Sequence, residues 1–179
     1  MNKHGDQETV TFKKITEDDV PLLRTWFQEP HVEQWWPTPE AEEDFIKHFV
    51  TRSRSKDTFA YISKLNDVPF GYIQYYYFNR DDQNTGGIWA PGDLPETTVG
   101  IDQLIGDPQY LGKGYGTRML QEFITYITQV LEPHITTIIL DPKPTNTVAI
   151  KCYEKVGFKR VGVVDAPWGP ALFMRYDVK

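Results

Sequence analysis

The stretch Tyr110-Leu111-Gly112-Lys113-Gly114-Tyr115-Gly116-Thr117-Arg118-Met119 sets three alternating glycines just ahead of a helical pattern. Leu120, Phe123, Ile124, Ile127 and Leu131 follow at spacings of three and four, one apolar helix face. Glycines before a helix let the backbone approach a ligand closely, and the helix start offers unpaired N–H groups at the positive end of its dipole. The chemistry that fits is capture of a phosphate or pyrophosphate, with Lys113 and Arg118 adding positive charge. A P-loop needs four residues between its first glycine and Gly-Lys, then Ser or Thr. Here five residues separate Gly106 from Gly112, and Gly114 follows Lys113. The dinucleotide fingerprint G-x-G-x-x-G follows the first strand of a βαβ unit. Gly112-x-Gly114-x-Gly116 has another spacing and lies past mid-chain. An ordinary glycine turn is the alternative.

A second candidate is Gly100-Ile101-Asp102-Gln103. An Asp in an apolar strand needs a partner or a functional reason if it is buried. It either faces solvent or lines a cleft, where it would bind an ammonium group and take its proton. Asp141 ends an apolar strand before Pro142, where a solvated or capping acid is equally at home. Cys152 is the single cysteine. No His or Asn is recognisably placed to activate it, and it reads as a small buried apolar residue. His4, His31, His48 and His134 show no metal-ligand spacing, so no metal is implied. Among the aromatics Trp35, Trp36, Tyr75, Tyr77, Trp89 and Trp168, packing is the common fate. Trp89 stands apart, because it lies in a polar Gly-rich stretch where an indole can stack on a sugar ring or meet an ammonium.

These groups need elements to hold them. A chain of 179 residues supports one domain with a sizeable core, 1–179, with residues 1–7 a frayed tail. Strands are expected at Thr9–Lys13, Thr58–Lys64, Phe70–Phe78, Thr97–Ile105, Ile135–Asp141, Phe158–Val164 and Ala171–Asp177, with a hairpin turn at Asn66-Asp67. Thr16 with Asp19 caps a short helix carrying Leu22, Leu23, Trp26 and Phe27. Pro30 to Pro39 reads as a break, Thr38 with Pro39 starts another helix with Phe45, Ile46, Phe49 and Val50 buried, and Arg80 to Pro95 is a polar loop of a length that tends to be functional or mobile. A long helix covers 114–131, and Asn146 or Thr145 caps one to about Val156. Strands with interposed helices imply an α/β or α+β domain. No apolar run matches a membrane span and no signal-peptide pattern opens the chain. The lone cysteine suits the cytoplasm. The net charge of −6 argues against nucleic acid and favours a cationic partner.

The glycine loop, together with Asn146-x-x-Ala149-x-x-x-Tyr153-x-x-x-Gly157-Phe158, resembles the GCN5-related N-acetyltransferases. Their loop reads Q/R-x-x-G-x-G/A and holds the pyrophosphate of acetyl-CoA. Leu111 stands here at the Gln or Arg position, a departure that leaves the backbone cradle intact. The resemblance runs over residues 9 to 177. It implies a mixed, largely antiparallel sheet flanked by helices and splayed between 99–104 and 136–141. It also implies acetyl-CoA as co-substrate, contacted by Leu111, Gly112, Lys113, Gly114, Tyr115, Gly116 and Thr117, by Ile101, Gln103 and Leu104, and by Asn146 and Ala149. Tyr153 matches the family tyrosine near the CoA sulfur, a proton donor to the departing thiolate.

Gly100-Ile101-Asp102-Gln103-Leu104-Ile105 narrows the resemblance to the aminoglycoside 6′-N-acetyltransferases, with their G-[IM]-D-Q-x-[IL] segment. Trp35-Trp36, Pro69-Phe70-Gly71-Tyr72 and Asp141-Pro142 are similar as well. Asp102 then inherits the role of base or amine ligand. Asp141 would lie in the antibiotic cleft and, with Glu96 or Asp93, complete a negative pocket for a polycation. Trp35, Tyr75, Trp89 and Trp168 would line it. At Trp168 some of these enzymes carry an acid, so an indole removes one charge. The competing readings are the same fold acting on a protein N-terminus, polyamine or small metabolic amine, and a non-catalytic binder of acetyl-CoA or drug. A monomer and a homodimer both fit.

Overall fold

The computed structural model describes residues 8–36, 50, 56–78, 90–166 and 168–179. Strand β1 (Val10–Lys14) is followed by Thr16, whose capping box with Asp19 opens a single 3-10 turn and then α1 (Val20–Phe27). Val20, Leu23, Trp26 and Phe27 form the buried face of α1. Within the stretch expected to be a break, Pro30 starts a one-turn helix, α2 (Pro30–Glu33), because proline at the first helical position needs no N–H partner. The helix expected from Thr38, including Phe45, Ile46 and Phe49, lies outside the described residues, as do residues 1–7 and 79–89. Val50 is buried.

Strands β2 (Thr58–Leu65) and β3 (Val68–Tyr77) form the expected hairpin. Asn66 and Asp67 both adopt positive φ (48° and 67°), the geometry of a two-residue turn that matches strand twist. Then come β4 (Thr98–Ile105), a 3-10 turn at Pro108–Tyr110, and α3 (Tyr115–Tyr126), which widens into a π-turn over Ile127–Leu131. After β5 (Thr137–Leu140), Asn146 caps α4 (Thr147–Val156) by accepting from the Ala149 N–H at 3.2 Å. Gly157 ends α4 at φ 117°, and β6 (Lys159–Ala166) and β7 (Gly169–Asp177) close the chain.

Among the described residues, seven strands form one sheet in the order β1-β2-β3-β4-β5-β7-β6. Every pair is antiparallel except β4–β5. One face packs on α3 and α4, with Phe123 fully buried against Tyr61 and Tyr75. The other packs on α1 through Leu23, Trp26, Phe27, Ile62, Tyr72 and Leu104. Burying each such large apolar side chain contributes about 1.5–3 kcal/mol. No helix of the described residues is long and apolar enough to cross a membrane.

Candidate active site

The site is organised by a gap in the sheet. β4 and β5 pair only from Thr98↔Thr137 to Gly100↔Ile139, after which β4 runs on to Ile105 while β5 ends at Leu140. The Thr97 carbonyl accepts from Thr136 and Thr137 on the β5 side, whereas the Thr98 carbonyl accepts from Phe78 on the β3 side. Odd-numbered residues of β4 therefore turn their peptide groups towards β5. Past Gly100 the Gln103 peptide groups have no strand opposite them among the described residues. At the far end of β4, the His31 imidazole reaches the Ile105 carbonyl at 2.8 Å.

The glycine loop lies beyond that end. Gly112 (φ 70°) and Gly114 (φ 86°) take the left-handed conformation, with open space where a Cβ would point. Gly114 is the N-cap of α3, so the first N–H groups of the helix open onto the loop. A Cβ at Gly116 would meet Cys152 Sγ and Ile105 at 3.8 Å, ordinary contact that alanine also satisfies. Lys113 is exposed in the loop. Arg118, expected to add charge to the loop, instead donates to the Glu8 carboxylate at 3.0 Å and to the Glu8 carbonyl; the Tyr115 hydroxyl donates to the same carboxylate at 2.9 Å. On the gap side of α3, Thr117 Oγ1 (3.4 Å) and Gln103 Nε2 (3.9 Å) donate to Cys152 Sγ. Gln103 Oε1 is buried without a partner, an acceptor awaiting a donor in the gap. Open backbone, a helix N-terminus and an orphaned amide oxygen fit a pantetheine pyrophosphate laid along the gap.

Two acids and a phenol meet at the mouth of the gap. Asp102 pairs with Gln74 in the β3–β4 register, and Gln74 Nε2 donates to Asp102 Oδ2 at 2.7 Å. Asp141 follows β5 and, by the Gly100↔Ile139 register, shares the face of Asp102. Burial, and then the charge of Asp102, push the Asp141 carboxyl up to about 7, against a hydrogen bond from the Trp168 indole and one from its own backbone. Tyr153 projects from α4 on the opposite face and is 7% exposed. Burial first, then Cys152, Asp102 and Asp141, hold its phenol well above the ordinary value, so it carries its proton. Burial also pushes the Cys152 thiol up, against Thr117 and Gln103, and the unionised thiol is no nucleophile.

Residues 16–166 match the acetyltransferase (GNAT) domain model. The chain belongs to the GNAT family. It is 34% identical over 174 residues to the aminoglycoside N(6′)-acetyltransferase type 1 of Klebsiella pneumoniae, covering 95% of this chain and 84% of that one. Among solved structures, the aminoglycoside acetyltransferase AAC(6′)-Ib in complex with coenzyme A and kanamycin superposes with a TM-score of 0.82 at 33% identity, covering 94% of this chain and 95% of that one. An uncharacterized protein from Bacillus halodurans gives 0.84 at 28% identity, covering 97% and 86%. As a GNAT fold, the chain has the splayed mixed sheet expected of it, with acetyl-CoA as its co-substrate.

Against this GNAT frame several expectations change. Tyr75 is 2% exposed on the α3 face, its hydroxyl directed to Glu132, and so lies on the other side of the sheet from Asp102. Leu104 packs its side chain against the α1 cluster and turns its peptide groups to β3, so neither faces the gap. Glu96 is exposed in the turn that precedes β4, separated from Asp102 by the paired segment Thr98–Gly100. The Ile101 side chain is core, leaving only its backbone beside the gap. The Asn146 side-chain oxygen is occupied as the α4 cap, and Ala149 packs against the core. Trp36 is half-buried, packed edge-on to Phe27 and Tyr72 at the border of the α1 cluster, and Trp35 is half-buried as well. Trp89 lies outside the described residues. Trp168 is half-exposed at the cleft, and Leu111 is exposed in the loop. Gln74 and Tyr76 were not singled out from sequence. The Tyr76 ring lies so close over Gly100 that a Cβ there would sit 2.2 Å from it. The signal was available: a glycine two residues before Asp102 leaves room for a ring on the same face.

Proposed function

We infer that the chain transfers the acetyl group of acetyl-CoA to the 6′-amine of aminoglycosides by direct attack within a ternary complex. The observation carrying this reading is that β4–β5 pairing stops at Gly100, with Asp102 two residues on at one face of the sheet and Tyr153 of α4 buried on the other. A proton acceptor and a proton donor on two sides of one slot suit aminolysis of a thioester. Acetyl-CoA supplies the acetyl group as its thioester. The N–H groups of residues 112–117, in the loop and at the start of α3, hold the pyrophosphate, and the Gln103 N–H polarises the thioester carbonyl. Asp102 takes the ammonium proton, and the amine nitrogen then bonds to the carbonyl carbon as the C–S bond breaks. Tyr153 gives a proton to the departing thiolate, and the second N–H proton, shed by the acetylated nitrogen as the amide forms, restores the phenol. Asp102 and Asp141 give the cleft the negative charge that a polyamine drug seeks, and Trp168 borders it. The single half-buried thiol and the cytosolic co-substrate fit action in the cytoplasm.

The test is thiol release from acetyl-CoA with kanamycin, tobramycin, amikacin and gentamicin components that carry or lack a free 6′-amine. Release only with the free 6′-amine is the expected result. Coenzyme A binding without release from any of them would overturn the aminoglycoside assignment and send the search to other amines.

A further inference from the structure

We propose that Tyr72 and Gln74 are positioning residues that orient the Asp102 carboxylate for proton transfer. The proposal rests on the reading of Asp102 as the proton acceptor. Three residues form a continuous chain on the acceptor face: the Tyr72 hydroxyl donates to Gln74 Oε1 at 2.6 Å, and Gln74 Nε2 donates to Asp102 Oδ2 at 2.7 Å. Gln74 is 7% exposed, and Tyr72 is fully buried, with Phe27 and Trp36 edge-on to its ring.

Each link has a physical purpose. A primary amide presents an acceptor and a donor of nearly equal size, and turning it over would set oxygen against oxygen at Asp102. The Tyr72 hydroxyl donates to the amide oxygen and so commits the NH₂ end to the carboxylate. That charge-assisted bond fixes one carboxylate oxygen and favours its charged form. The β3–β4 register makes the geometry rigid, since Gln74 sits directly opposite Asp102. Packing alone does not call for this chain. An apolar pair would fill the space beside Leu23 and Ile62 without the desolvation cost of an amide and a phenol. Gly100 and the Tyr76 ring over it bound Asp102 on the same face, which leaves the carboxylate set between a fixed donor and the gap.

Among the described residues, the titratable groups near Asp102 include Asp141 after β5, Tyr153 on α4, and Tyr72 and Tyr76 on β3. The experiment compares Gln74→Met, Tyr72→Phe and Asp102→Asn with the unsubstituted protein. It measures kcat and KM for kanamycin, the acetyl-CoA dissociation constant, and the pH profile of kcat/KM. Gln74→Met should lower kcat about 10- to 100-fold, the loss expected for one charge-assisted hydrogen bond. Its acetyl-CoA affinity should stay within about twofold, and its acid limb should move to higher pH as the carboxylate loses its donor. Tyr72→Phe should move both quantities the same way by about 3- to 10-fold in rate, as expected for a neutral hydrogen bond. It removes a single oxygen, so it decides the matter if Gln74→Met does not fold. A wild-type kcat with an unshifted acid limb in the Gln74 and Tyr72 variants, while Asp102→Asn is inactive, would overturn the relay. Full activity of Asp102→Asn would instead remove Asp102 as proton acceptor, and the relay with it.

Discussion

The cofactor gap and the acceptor cleft share strand β4 but draw on different parts of the chain. The gap is lined largely by peptide groups, at Gly112 and Gly114, the open start of α3 and Gln103 beyond Gly100, with the Gln103 amide and Thr117 as its polar side chains. The cleft is lined by side chains: Asp102 held by Gln74, Asp141 held by the Trp168 indole, and the Tyr76 ring over Gly100. A surface of peptide groups should tolerate exchange of its side chains, Leu111 included. A surface of side chains does not, and its specificity changes with each residue.

This contrast can be broken or sharpened by substitution. Asp102→Asn keeps the shape of the cleft but removes its base. Turnover should fall about 10²- to 10⁴-fold with acetyl-CoA binding unchanged in calorimetry, and wild-type turnover would remove Asp102 from catalysis. On the other side, Gly114→Val forces a β-branched residue to φ 86°. It should weaken acetyl-CoA about tenfold, from a strain of about 1–2 kcal/mol, without altering the drug dissociation constant. Gly116→Ala, whose Cβ meets only ordinary contacts, should change neither. Equal losses in both variants would show that sterics, not backbone conformation, govern the loop.

Asp141 should act through charge. Its carboxyl is pushed up to about 7 by burial and then by Asp102. The native state therefore holds a proton that the unfolded chain releases near the ordinary value of 3.8. The stability this provides is fully present below about pH 4 and is lost as pH rises through about 7. Melting temperatures of Asp141→Asn should accordingly fall less between those values than those of the unsubstituted protein. The same substitution should raise the drug KM about 3- to 10-fold above pH 7, where the native carboxylate is charged. A KM independent of both pH and residue 141 would place the cation elsewhere. The smallest effect is expected from Cys152→Ala, within about twofold in kcat, since the protonated thiol only accepts from Thr117 and Gln103. A large loss in turnover would return a covalent route to consideration.

Whereas the gap between β4 and β5 followed only from the resemblance to the acetyltransferase family, the glycine loop and the helix start behind it were legible in the sequence because each leaves a local mark. The Asn66-Asp67 turn, the Thr16–Asp19 cap and the Asn146 cap were legible for the same reason. The cleft was legible only at its acids. Which tyrosine of β3 faces Asp102 depends on strand register, a long-range property, and a shift of one residue exchanges Tyr75 for Tyr76 or Gln74. Likewise Arg118 carries a charge that looks available in sequence, but Glu8, 110 positions earlier, has engaged it.

The break in pairing beyond Gly100 has a spectroscopic consequence. The Val99 amide lies in the β4–β5 ladder, and Gln103, four residues on, lies in the gap. In deuterated solvent the Gln103 amide should exchange faster than that of Val99, and slow down when acetyl-CoA occupies the gap. The ratio of the two protections would then titrate with occupancy alone, giving a built-in gauge of co-substrate binding that works in the absence of any acceptor and in variants that cannot turn over.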